Sequence, residues 1–441
     1  MCPIDKATSN VAFVCMRFYA TTILSEMGLI GGDSNTYETI QTEPKQVISS
    51  LKTNLRSKFT LDVVSDNLCL PVAYWLPKMH KNPTGFRFII ASKQCTNKEL
   101  SKHITSVFKM FYKSIEKYHE IGLFHSGVNS FWVIQNNEPV LEAINKVNKK
   151  LSAKTISTFD FSTLYTKIPH TKLIEVLIDI INFVFKGKIK DKITINSYGE
   201  ANWVNNPKKG SFFFTKTSLI DAVKFLIQNC YFTVGEKLLR QIIGIPMGLD
   251  PAPFFANLFL FFYESRWLNK TKKSNNILAR KFGKTFRFID DLNAINDGGE
   301  FEKIFSEIYP PELELKKENT DNNHATFLDL EITIINGRME TKLYDKRDAF
   351  PFSIIRLPYK NSNMPAKMFY STIGAEFLRI TRATSKITDL LPSVRSLNAR
   401  MIQQGAKKSQ LSKTIYNVMK RHKQTFDKYD CDIKVSIDSI M

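Results

Sequence analysis

The sequence predicts an α+β protein, and three observations carry that expectation. Residues 286–295 place apolar side chains on both sides of an adjacent carboxylate pair, Asp290 and Asp291. The flanks alternate, so the stretch reads as two short strands with the aspartates at the turn. Residues 327–335, then Asn336-Gly337, then 338–344 read as a second hairpin, with a type I′ turn. Apolar helical periodicity surrounds both, as in 172–185 and 256–268.

Of the 441 residues, 43% are apolar, enough to bury several packed layers. The charge is unusual: 62 Lys and Arg against 42 Asp and Glu leave +20. Such a surplus points to a polyanionic partner, either nucleic acid or an anionic membrane surface. The longest apolar run, 253–263, is too short to span a bilayer and contains Asn257. The first residues hold no apolar segment that could serve as a signal peptide, so an intracellular protein, nuclear or cytoplasmic, is expected. The six cysteines are scattered without a CxxC and read as reduced thiols. The seven histidines are equally dispersed, which argues against zinc.

From the N-terminus, residues 11–29 read as a helix ended by Gly31-Gly32. Residues 74–90 read as strand, tight loop and strand, with Pro83 and Gly85 at the turn and Phe86, Phe88 and Ile90 alternating. Lys78, Lys81 and Arg87 make this hairpin basic, suited either to solvent or to phosphate oxygens. Residues 97–150 read as helical and basic. Residues 155–161 have strand composition, with Asp160 at the end. Pro169 breaks the chain, and Thr171 reads as the N-cap of a helix over 172–185. Residues 187–215 read as a polar loop with weak hairpins, followed by a helix near 218–230. Residues 244–253 contain Gly244, Gly248, Pro246, Pro251 and Pro253, which impose a fixed, bare backbone before the apolar helix 256–268. A helix over 301–309 ends at Pro310-Pro311. Helical patterns recur at 375–383 and 411–421. Residues 346–428 carry 17 Lys and Arg against 4 Asp and Glu, a local +13 that suits a polyanion groove.

Four pieces therefore follow one another: a basic hairpin, a strand-end Asp160, a Gly/Pro turn before an apolar helix, and the Asp290-Asp291 hairpin. Two like charges at a strand tip are destabilising unless a cation sits between them. This order resembles the reverse transcriptases, and most of all the Penelope-like retroelement enzymes, which are similar to telomerase catalytic subunits. The strings that carry the resemblance are 76–81 with 86–89, 159–169, 244–248 with 256–259, and 288–291. Residues 327–332 and 341–346 look like the later palm motifs, and Pro3-Ile4-Asp5-Lys6 resembles the Asp-Lys element upstream of the fingers.

The resemblance implies a right-hand polymerase with a ferredoxin-like antiparallel palm, fingers and a helical thumb. The implied division is an N-terminal extension over 1–70, fingers over 71–150, palm over 151–345 with an interleaved fingers segment at about 172–240, and a basic thumb over 346–441. It implies an RNA-directed DNA polymerase acting on an RNA template, a DNA primer and dNTPs. Asp160, Asp290 and Asp291 would hold two Mg²⁺, with Mn²⁺ as a substitute, and Asp291 would be the less direct ligand. Lys78, Lys81 and Arg87 would meet the triphosphate. Phe161, Tyr165, Met247 and Gly248 would line the nucleotide, with Tyr165 as a steric gate under the sugar. Lys316 or Lys317 would protonate the leaving pyrophosphate. The chain carries no segment resembling the GIY-YIG endonuclease found in many relatives, so an endonuclease-free branch or a truncated element is expected. The competing expectations are a telomerase-like polymerase and an inactive descendant that only binds RNA.

Overall fold

The computed structural model describes residues 1–32, 34–61, 69–162, 164–245 and 248–429. At its centre lies a four-stranded antiparallel sheet. Its strands run in the order Thr285–Phe288, Asp291–Ile295, Ile156–Phe161 and Leu315–Lys317. Taken in chain order, the strands sit 2-3-1-4 across the sheet. Helices precede the second strand and the fourth, namely Ala252–Ser274 and Glu300–Ile308. This is the ferredoxin-like arrangement that the resemblance implies.

The pleat decides what each strand residue does. Successive side chains alternate between faces. Phe159 and Phe161 therefore go into the core, at 2% and 3% exposure, while Asp160 between them stays on the open face. Phe301 packs its ring 5.0 Å from that of Phe159. The helix Ala252–Ser274 buries Phe255, Leu258, Phe259, Leu260 and Phe261, as expected of an element apolar on all sides. It starts four residues earlier than its apolar pattern predicts, with Pro253 in the first turn, where a missing N–H is harmless.

A second sheet of five strands carries the basic hairpin. Its order is Tyr37–Ile40, Lys237–Gln241, Tyr231–Val234, Val72–Lys78 and Gly85–Ala91. Trp75 anchors the hairpin, 1% exposed and stacked on Tyr19 at 4.5 Å. The helix expected over residues 11–29 is shorter. Ala7–Ala12 forms a strand paired with Cys2–Ile4, and the helix occupies only Met16–Glu26. Pairing with the upstream strand has overridden the helical pattern of Val11 and Ala12.

Two local expectations change. The helix His170–Phe185 has Pro169 as its N-cap, so Thr171 lies inside it. The extended conformation of Pro169 starts the helix before the Thr171 hydroxyl could cap it. Residues 187–215, expected as a polar loop with weak hairpins, gather their strands into one three-stranded antiparallel sheet, Ala201–Val204, Lys192–Ile195 and Phe213–Thr215. The later hairpin forms as read: Leu330–Ile335 pairs with Arg338–Leu343, and Asn336 and Gly337 both adopt positive φ, 49° and 76°, as a type I′ turn requires. The helices Ala366–Ala383, Ile387–Gln403 and Lys408–Arg421 pack around a core of their own, including Phe369, Phe377, Leu390, Val394 and Leu411. Among the described residues, no helix is long and apolar enough to cross a membrane.

Candidate active site

The sheet register brings the predicted carboxylates together. Asp291 stands directly opposite Asp160 on the neighbouring strand, so both side chains leave the same face. Asp290 occupies the turn between its two strands, and its carbonyl accepts the N–H of Phe161 at 3.1 Å. Burial, the charge of Asp290 and that of Glu318 all push the Asp160 carboxyl upward. Burial and Asp290 push Asp291 to about 6, against the opposing influence of Lys346. These groups resist ionising together in one half-buried place, which is the electrostatic state a divalent cation would relieve. Hard carboxylate oxygens are also the donor set that Mg²⁺ takes. The residues thus fit the ion by charge and by donor type. Among the described residues, no three His, Cys, Asp or Glu side chains already stand gathered as a cage.

The aspartate turn is held from behind. Arg287, fully buried, lies two residues before Ile289, whose φ of 56° is unusual for a β-branched residue. Arg287 Nη1 donates to the carbonyl of Ile289 at 3.0 Å and to Asn257 Oδ1 at 2.9 Å. Its Nη2 donates to the Asn257 carbonyl at 3.0 Å and to Glu264 Oε2 at 3.1 Å, and Nε reaches Glu264 Oε1 at 2.5 Å. The Tyr309 hydroxyl donates to the same Glu264 at 2.9 Å. The sequence reading missed this network. A lone Arg between Phe286 and Phe288, and Glu264 directly after the apolar run 258–263, were the available signals, because buried charges occur in pairs.

Opposite the carboxylates lies a basic mouth. Lys78 closes its strand against Gly85, and the Lys81 N–H donates to the Lys78 carbonyl at 3.0 Å. Burial, then Lys81 and Arg87, lower the affinity of Lys78 for its proton, while Asp5 and Asp160 oppose that shift. Arg87 pairs with Asp5 at 3.1 Å. Lys6 and Lys346 complete the mouth: Lys346 acts on Lys6, Asp160 and Asp291. Both lysines lie in strings that carry the resemblance, 3–6 and 341–346, but nothing in the sequence placed either at this mouth, because each arrives from a distant segment. Glu318 is a further carboxylate that the sequence did not mark.

Tyr165 lies in the short helix Leu164–Lys167, half-buried, beside Asp290. Burial and then the Asp290 charge push its phenol up to about 12. Gly244 makes room for this segment: with φ +95°, a Cβ there would stand 2.3 Å from the Tyr165 carbonyl. Gly248 does the same for the basic hairpin, since its Cβ would meet the Ile90 carbonyl at 2.3 Å. The bare backbone at Gly248 is thus required by the protein's own chain. Met247 lies outside the described residues.

Two further expectations are corrected. The Phe161 side chain does not line the site. It packs edge-on against Tyr309 at 4.8 Å in the core, and only its backbone serves the aspartate turn. Lys317 opposes Phe159 and is held by Glu302 at 2.8 Å, so strand alternation turns it from the carboxylates. Lys316 opposes Asp160 and shares its face. It is 61% exposed and 3.5 Å from Glu314.

The sheet, the crossover helices and the site define an α+β right-hand polymerase fold. No protein-family model matches the chain, and no curated protein matches it in sequence. Among solved structures, the chain is similar to a telomerase from Candida albicans determined with a fragment of telomeric RNA. That likeness has a TM-score of 0.58 at 12% identity over 96% of this chain and 65% of that one. It is also similar to apo telomerase from Candida tropicalis, with a TM-score of 0.53 at 12% identity over 97% of this chain and 70% of the other. The chain thus spans about two thirds of the length of these telomerase chains, and the likeness is one of telomerase-like polymerase fold.

Proposed function

We propose that this chain is an RNA-directed DNA polymerase of the Penelope-like retroelement type, a nucleotidyltransferase that extends a DNA primer along an RNA template with dNTPs. The observation that supports it most is Asp160 facing Asp291 across paired strands, with Asp290 at the turn, opposite a mouth of Lys78, Lys81, Arg87, Lys6 and Lys346. Asp160 and Asp290 would hold two Mg²⁺ or Mn²⁺, with Asp291 less directly engaged. Such ions, when bound, would favour the ionised form of the attacking 3′-hydroxyl and offset the charge that builds on the leaving pyrophosphate. The chain's own residues do the rest. The basic mouth orients the triphosphate, with Arg87 as the forked donor and the lysines as point charges. Tyr165, beside Asp290, limits space under the sugar. Lys316, on the Asp160 face, is the better placed of the two lysines to return a proton to pyrophosphate.

In this reading the Val72–Lys78 and Gly85–Ala91 hairpin belongs to the fingers, the four-stranded sheet is the palm, and the helices from Ala366 onward form the thumb. The test is extension of a DNA primer on an RNA template with Mg²⁺ or Mn²⁺, offering deoxy- and ribonucleotides separately. Extension with dNTPs alone supports the proposal. Absence of extension with either set refutes it and leaves an RNA-binding role.

A telomerase-like activity is the second reading, favoured by the likeness that covers 96% of the chain. Repeated copying of a short template separates it from run-off copying of a long one.

A further inference from the structure

The N-terminal hairpin, Cys2–Ile4 paired with Ala7–Ala12, lies outside the polymerase core yet reaches the mouth. Ile4 and Ala7 pack with Phe350, and Met79 and Ile354 lie against them. Asn10 Nδ2 donates to the Ser353 carbonyl at 3.4 Å, and the Ile355 N–H donates to Asn10 Oδ1 at 2.9 Å. At the other end, the Asp5 N–H donates to the Pro77 carbonyl at 3.0 Å. The hairpin therefore straps the basic loop of residues 78–85 to the segment that follows Lys346.

Asp5 sits at the tip of this strap. Its side chain is 5% exposed; Oδ1 contacts Arg87 Nη1 at 3.1 Å, and Oδ2 is buried with no partner. An unpartnered buried oxygen costs stability, and more so when it is charged. A carboxylate placed only for stability would have both oxygens paired. Arg87 is its counterpart: 50% exposed, held by one nitrogen, with no other partner for its guanidinium among the described residues. One nitrogen of the fork is held, and half of the side chain remains exposed beside the lysines of the mouth.

We propose that Asp5 is a positioning residue for the triphosphate: it holds Arg87 by one edge, so that the remaining guanidinium N–H groups point at the phosphates of an incoming nucleotide. This deepens, and rests on, the polymerase reading of the same mouth. The carboxylate also lies among Lys6, Lys78 and Arg87, where its charge opposes their mutual repulsion. A mouth crowded with cations needs such an anion to keep its side chains in fixed places before the nucleotide arrives.

The experiment compares wild type, Asp5→Asn, Arg87→Ala, the double variant and Asn10→Ala in steady-state primer extension and in equilibrium titration with dATP and Mg²⁺. Asp5→Asn should raise the KM for dATP roughly tenfold and leave kcat within about threefold, the pattern of lost ground-state positioning. In the Arg87→Ala background the same change should add little, because the two residues act as one unit. Asn10→Ala cuts the strap's other tie and should lower Tm without the KM effect. An unchanged or lowered KM in Asp5→Asn, or full additivity with Arg87→Ala, overturns the proposal; a lowered KM would mean that Asp5 competes with the phosphates. If Asp5→Asn does not fold, Arg87→Lys, which keeps the charge but loses the fork, must itself weaken dATP, and unchanged binding overturns the proposal. If the wild type fails to extend, the polymerase reading falls. The titration then still decides whether Asp5 and Arg87 hold a triphosphate.

Discussion

The N–H of Phe161 donates to the carbonyl of Asp290 at 3.1 Å, tying the tip of one strand to the turn of the neighbouring hairpin. From the other side, Arg287 holds the carbonyl of Ile289 at 3.0 Å. The aspartate turn is thus clamped at two adjacent carbonyls, one by a backbone N–H of the neighbouring strand and one by a buried guanidinium. A turn held this way keeps its carboxylates near Asp160 despite their repulsion, and preorganised carboxylates need not be gathered again at each turnover.

The first prediction follows from that arrangement. Asp160→Asn and Asp290→Asn should each abolish extension, by at least a hundredfold, because losing a metal ligand removes several kcal/mol of transition-state stabilisation. Binding of an RNA–DNA duplex should change little. Both variants should also fold at least as well as wild type, since one member of a repelling set is gone. Near-normal extension by either would refute the metal assignment.

Much of this centre was legible in the chain. Alternation around Asp160 and the paired aspartates is a local signal, as is the Asn336-Gly337 turn, and both survive folding unchanged. What could not be read was long-range. Asp5 with Lys6, Lys346 and Glu318 come from three separate segments and meet only through packing. The resemblance implied the Phe161 side chain against the nucleotide, but a strand sends neighbours to opposite faces and Phe161 goes into the core. The same rule separates Lys316 from Lys317.

The buried network yields a second prediction. Glu264→Gln leaves the Arg287 charge uncompensated and should destabilise the fold by about 3–5 kcal/mol. Replacing both, Arg287→Met with Glu264→Leu, should recover part of that loss, because no buried charge then remains. Extension should nevertheless stay at least tenfold down in the double variant, since the Ile289 carbonyl has lost its donor. Chemical denaturation and extension rates measured side by side separate the two effects. A double variant that is both stable and fully active would show that the Arg287 contact does not position the turn.

Acid sensitivity gives a third. His119 is buried, hydrogen-bonded to Ser130 Oγ at 2.6 Å, and burial lowers its pKa to about 4. Burial likewise holds His170 at about 4, despite an opposing contribution from the Gly244 backbone. The unfolded chain takes up these protons near pH 6.5 and the folded chain does not. Stability is therefore full above about 6.5 and falls as pH drops toward 4. The gap for one such histidine is worth roughly 3 kcal/mol at most. His119→Gln should flatten the stability curve between pH 6.5 and 4 in urea titrations. An unchanged slope would show that His119 is protonated in the folded protein.

Salt dependence is the fourth. The local +13 of residues 346–428 is not all free for a polyanion. Arg347, Arg356 and Arg379 converge on Asp345 at 2.7, 3.3 and 3.8 Å. Lys408, Lys413 and Lys420 are instead exposed along the helix Lys408–Arg421. Replacing these three lysines by Ala should weaken primed-template binding and reduce the slope of log K against log salt by roughly 2–3. Arg379→Ala should lower Tm more than it lowers that slope. If the triple variant keeps the wild-type slope, the backbone path lies elsewhere.

In the proposed polymerase Tyr165 would decide which sugar is used, and its surroundings sharpen the test. The bland alternative is a core aromatic, and the ring does pack against the main core. Two facts set it apart from a plain core residue. It is only half-buried, and its phenol feels the charge of Asp290. Gly244 yields its own Cβ space to the Tyr165 backbone, so the segment cannot retreat from the aspartates. On the proposed polymerase reading, a nucleotide whose phosphates sit between the basic mouth and Asp160 would lay its sugar near the ring, and the ring would exclude an oxygen at C2′. Steric exclusion can exceed the discrimination that one added contact provides. Tyr165→Ala should admit ribonucleotides, raising their relative incorporation at least tenfold with a smaller loss for deoxynucleotides. Tyr165→Phe should keep most of the selectivity, because the ring does the excluding. Matched ribo- and deoxynucleotide incorporation in the three proteins is the measurement. An unchanged ratio in Tyr165→Ala, with Tm lowered, would make Tyr165 a packing residue and move the gate elsewhere.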